Sequence, residues 1–195
     1  MTVENHSLCD SQLFYATCNT IDMITMVYNV RVDSIARDID VEVQKAILDF
    51  LATYDFQYVT CIKNRTALRE MFTEYFKNRH DLAWLKHGVY TLAQREGRNR
   101  RGVAACAWCE PNRLHTKGLG TVLLSKGIKN CRTIHSYGYS SPMSPICRNN
   151  LEGKQLNIEQ VIQNSFPKTY AELTREDVPM IPQHVNCRHV MAPIE

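Results

Sequence analysis

The sequence has little that would take it out of water. Its 195 residues hold apolar stretches such as Ala104–Cys106, far short of the ~20 residues a membrane-spanning helix needs. The opening segment MTVENHSLCDSQ lacks a basic start followed by an apolar run, so no secretory leader is expected. Low-complexity tracts and internal repeats are missing too. At 44% hydrophobic and 22% charged, the composition excludes a chain disordered throughout and leaves one compact domain or two small ones.

Two further scarcities are local. Six of the eight glycines fall between 97 and 138, so the first half has few breakers. Near the basic segment described below, Trp108 is the one aromatic, which argues against stacking recognition of single-stranded bases.

What is plentiful is cysteine. Eight, at 9, 18, 61, 106, 109, 131, 147 and 187, is many for a chain without an export signal. In a reducing compartment these are thiols, metal ligands or catalytic groups rather than disulfides. Cys9, Cys18 and Cys61 lie among periodic apolar residues and read as small buried hydrophobes.

Charge is uneven. Residues 1–94 carry nine basic and twelve acidic side chains, residues 95–132 nine and two, and residues 133–195 five and six. The whole positive excess of +3 therefore comes from the middle, with Arg95, Arg98, Arg100 and Arg101 in a glycine-broken loop at its densest part. Such a loop meets phosphates or an acidic protein surface through charge alone; a solvated connector is the plainer reading.

Apolar residues at three- and four-residue steps predict helices over about 9–29 and 34–54. A further helix, capped by Asn64 or Thr66, carries a stripe from Leu68 through Leu92 and breaks at Gly97. Beyond Gly97 the texture is loop-rich. Thr121–Leu124 and Arg132–Tyr137 read as short β-prone runs, and Ile158–Asn164 as one short helix. The expected fold class is α+β: a helical domain over 1–96, then a small Cys/His module with short strands over 97–195. A module this poor in apolar residues calls for a staple, and in a reducing compartment that staple is a metal.

Two clusters have ligand spacing. Cys106-Ala-Trp-Cys109 sets two sulfurs on one turn, as a metal half-site, a buried pair or a redox dithiol. The segment Pro182-Gln-His184-Val-Asn-Cys187-Arg-His189 brings two histidines and a cysteine within six residues, with Ser144-Pro-Ile-Cys147 upstream. Zinc takes about four N or S ligands. Cys147, His184 and Cys187 supply three, and the fourth is open between His189, Cys131 and one of Cys106 and Cys109.

Ser144-Pro-Ile-Cys147-Arg-Asn-Asn-Leu151-Glu-Gly153-Lys154, followed by Ile181-Pro182-Gln-His184-Val-Asn186-Cys187-Arg188-His189 and Pro193, resembles the C-terminal signature of phage minor head proteins, the Mu F-like head-morphogenesis family. The likeness covers about the last fifty residues. Ser144 stands where the family pattern has the first cysteine of a pair, so the chain departs from it at a ligand position. The resemblance implies a virion component, assembled in the host cytoplasm, associated with the portal and acting in head assembly or DNA packaging and delivery. Its partners would be portal and other head proteins, with packaged DNA in non-specific contact. Two alternatives belong to other classes: a metal-dependent nuclease or toxin-like enzyme, and a small zinc module binding nucleic acid without sequence preference. No acidic residue lies within Pro182–Pro193, which speaks against the nuclease.

Overall fold

A computed structural model describes residues 34–56, 62–97, 109–135, 144–166, 178–183, 187 and 189–194. Among them are helices α1 (Ser34–Leu51), α2 (Arg65–Lys77), α3 (Leu82–Arg95) and α4 (Glu110–Ser125), strand β1 (Asn130–His135), helix α5 (Pro145–Asn150), strand β2 (Gln155–Asn157), helix α6 (Ile158–Ser165) and strand β3 (His189–Pro193). This is the expected α+β class, a helical first half followed by helices and a small antiparallel sheet. The helix expected over about 9–29 lies outside the described residues. No helix among the described residues is long and apolar enough to cross a membrane.

Each helix is written locally. Val43, Ile47 and Leu51 recur every fourth residue on α1 and are all buried. Leu68, Phe72 and Tyr75, at steps of four and three, are the buried residues of α2. The Asn64 side chain accepts the Ala67 amide N–H at 3.0 Å, satisfying one of the orphan donors at a helix start. The long stripe ending at Leu92 is two helices rather than one. Arg79 takes a left-handed φ of +52°, and Asp81 then caps α3 by accepting the Trp84 amide at 2.7 Å. Glu96 returns to the start of α2, where its carboxylate accepts the amides of Lys63 at 2.6 Å and Asn64 at 2.8 Å.

The second half is more helical than its sequence reading, with α4 and α5 where loops and a short strand were expected. Thr121–Leu124 is the last part of α4, not a strand. Four β-prone residues carry less weight than the hydrogen-bonded turns that precede them, and Gly127 (φ +81°) ends the helix only afterwards. α4 packs chiefly on α1. A β-carbon at Gly118 would stand 2.4 Å from Ile47 Cγ1 and 3.0 Å from the Val43 carbonyl, so only glycine admits this approach.

The sheet order is β2-β1-β3, antiparallel throughout. Cys131 faces Pro193 and His135 faces His189, so β3 enters the sheet at the far end of β1. Consecutive residues His189–Ala192 are all buried, which means both faces of this edge strand are covered. The expected poverty in apolar residues is offset by sharing. Leu114, Leu119, Val122, Ile158, Val161 and Val190 join Ile47, Leu51 and Phe72 in one continuous hydrophobic cluster.

Candidate metal centre

Three elements converge at the start of β3. Cys147 lies in the first turn of α5, behind Pro145, which suits a helix's first positions because its missing N–H is not needed there. The end of that helix is tied to the sheet by the Thr133 hydroxyl, which donates to the Leu151 carbonyl at 2.6 Å. Cys187 is two residues before His189, which opens β3. Forty residues separate Cys147 from Cys187, yet their Sγ atoms stand 3.7 Å apart. The Cys187 Sγ to His189 Nδ1 distance is also 3.7 Å.

The donor atoms of Cys147, Cys187 and His189 all lie within 4.8 Å of one another, and all three residues are buried. This group can hold a metal ion. Its electrostatics favour an anionic sulfur at one end. Burial works against the Cys187 thiolate, but the Cys147 thiol, the His189 ring and the Gln183 backbone hydrogen-bond to it and hold its pKa well below the usual value. Cys147, as the donor to that sulfur, is pushed up, with burial acting in the same direction.

A segment upstream of Cys187 is anchored. The Ile181 amide donates to Ser165 Oγ at 2.9 Å, and the Asn164 amide group donates to the Pro179 carbonyl at 2.9 Å. Residues 178–183 are thereby held on α6, and α6 is capped by Asn157, which accepts the Gln160 amide at 3.0 Å.

Beside the group lies the N-terminal end of α4. The Asn112 side chain donates to the His189 carbonyl at 3.5 Å. Cys109, just before α4, is buried and its thiol is pushed up to about 12, chiefly by burial, with Arg113 acting the other way and Glu110 and Cys187 adding to the rise. A buried ionic cluster sits next to it. Tyr54 donates its hydroxyl to Glu110 Oε2 at 2.6 Å, and Arg113 Nη1 donates to Glu110 Oε1 at 3.1 Å. Glu110 and Arg113 are 1% and 3% exposed. Burial would lower the Arg113 pKa, but Glu110 and Tyr54 raise it above its ordinary value, so the guanidinium stays charged.

The sequence reading named Cys147, His184 and Cys187 as ligands with His189 among the choices for the fourth, and the structure brings Cys147, Cys187 and His189 together. His184 and Cys106 lie outside the described residues, as do Cys9, Cys18 and Cys61. Cys131, weighed as a fourth ligand, is buried but stands opposite Pro193. That is the other end of β3, four residues or ~13 Å along the strand from His189. Of the basic loop, Arg95 ends α3, while Arg98, Arg100 and Arg101 lie outside the described residues. Arg113, one of the nine basic residues of 95–132, is buried against Glu110. The i, i+3 spacing of opposite charges just inside a proline-started helix was the available signal. Tyr54 was foreseen only as an apolar position, because nothing in a linear sequence pairs it with a residue 56 positions on.

No family model matches the chain, and neither does any curated protein or solved structure.

Proposed function

We propose that the chain is a virion structural protein, a minor head component associated with the portal in head assembly or DNA packaging and delivery, whose C-terminal tail is held by a structural zinc ion. The observation that carries this reading is the meeting of Cys147 with Cys187 and His189. Cys147 and Cys187 belong to the very segments that resemble the Mu F-like signature, so the residues that make the likeness are also residues that meet.

Zinc suits the donor set. Bonds of about 2.3 Å to sulfur and about 2.0 Å to nitrogen in a tetrahedron give edges of about 3.8 Å between two sulfurs and about 3.6 Å between sulfur and nitrogen. The observed separations are 3.7 Å and 3.7 Å. Buried donors favour a closed structural site over a catalytic one, which keeps a position open to water and substrate. Such an ion would tie α5 to the root of β3. The tail is then rigid, leaving helical faces for neighbouring subunits and the arginines from Arg95 to Arg101 for packaged DNA.

Elemental analysis of the full chain purified under reducing conditions should find one zinc per molecule. Zinc at ~1,000 times its Kd should stabilise the fold by about 4 kcal/mol, a Tm rise of about 8–16 °C at this size, lost on chelation. A chain that neither retains nor takes up zinc ends the zinc part. Mass spectrometry of phage particles should find the protein in few copies, and it should bind an isolated portal ring. Absence from particles together with no portal binding ends the head assignment.

A further inference from the structure

We propose that Cys109 supplies the fourth ligand, completing a centre of three thiolates and one imidazole with Cys147, Cys187 and His189. This rests on the metal-centre reading above and names the residue that closes it. The three convergent donors leave one corner of a tetrahedron, and a buried zinc site of structural type fills all four.

The placement of α4 selects the residue. Asn112 reaches the His189 carbonyl, and Cys109 precedes Asn112 by three positions. Side chains three apart share a helix face, so Cys109 is carried on the side of α4 turned toward the start of β3. It is 8% exposed. The Cys109 sulfur is not among the atoms within 4.8 Å of one another, so binding asks its thiol to turn about its own Cα–Cβ bond toward Cys187. Three thiolates and a neutral imidazole around a divalent ion leave the centre at net −1, and binding releases to the buffer whatever protons those groups still carry.

Position excludes Cys131, at the opposite end of β3. His184 lies outside the described residues and is the competitor the experiment must separate.

The test uses the full metal-free chain under reducing conditions, titrated with cobalt(II) and then zinc. Expected for the wild type is one cobalt per chain, with sulfur-to-cobalt charge-transfer absorption of the strength of three thiolates. Cys109→Ser should lose a third of that intensity and bind zinc more than about 100-fold more weakly, beyond what loss of a merely supporting contact causes. Cys131→Ser should match the wild type. A wild-type spectrum showing two thiolates overturns the proposal without any variant being needed, so a misfolded Cys109→Ser protein leaves it testable. So does a Cys109→Ser protein of unchanged spectrum and affinity; if His184→Ala then loses the ion, the metal centre stands with a different fourth ligand. A wild-type chain that takes no ion overturns both.

Discussion

The helices α1–α3 and the corner where α4 meets β3 are both buried, but they bury opposite kinds of side chain. The helical half is closed by Val43, Leu51, Leu68, Phe72, Leu85 and Val89 around the ring contacts of Tyr54 with Phe56 and Phe56 with Phe72. Such contacts are non-directional and indifferent to pH, and neighbouring side chains can relax around a change. The α4 corner buries Glu110, Asn112, Arg113, Thr116 and His189 together with thiols. Each of these repays its desolvation only while its partner is in place. The first region is robust by bulk, the second is conditional on pairing, and the candidate metal centre lies in the second.

The sharpest way to break that contrast is Glu110→Ala, which strands the Arg113 guanidinium and the Tyr54 hydroxyl in the interior. The expected loss is about 3–5 kcal/mol, read as a fall in denaturation midpoint, whereas Glu110→Gln should lose clearly less. An equal and small loss in both variants would place this corner with the apolar half.

Next in size is acid sensitivity through His115. Its Nε2 is sealed from solvent without a hydrogen-bond partner among the described residues, and burial lowers its pKa to about 4 despite an opposing charge on Asp40. The unfolded ring titrates near 6.5, so between these values the unfolded chain holds a proton that the folded chain refuses. Stability is therefore whole above pH 6.5 and falls as pH drops toward 4, by up to about 3 kcal/mol. Unfolding curves across that range, with chelator present so that metal release adds nothing, should flatten in His115→Leu. An unchanged slope would assign the acid response elsewhere.

The smallest effect joins the two regions. Gly118→Ala drives a methyl against Ile47 and the Val43 carbonyl, for an expected cost of about 1–3 kcal/mol by overpacking. A neutral result from thermal unfolding would mean that α1 and α4 slide past each other easily and that the interface is looser than its glycine suggests.

Legibility followed range. Asn64 as a cap, the stripe from Leu68 to Leu92, Gly97 as a stop and the helix near Ile158–Asn164 were readable because each depends on residues within a few positions of itself. The break at Arg79 was missed because the apolar step continues across it while the backbone does not. Thr121–Leu124 was misread for a related reason: its strand preference is weak and the helix leading into it decides the outcome. At the candidate centre Cys147 and Cys187 were legible as ligands, while His189 was one of several choices for the fourth position.

The chain by itself determined its helices, their caps and its stock of thiols and imidazoles, since periodicity and capping act over one or two turns. Only the tertiary structure decided which sulfurs meet. The β1–β3 register sends Cys131 to one end of the strand and His189 to the other, and the close approach at Gly118 lays α4 on α1. Contacts made across forty or more residues are set by packing, which no local pattern encodes.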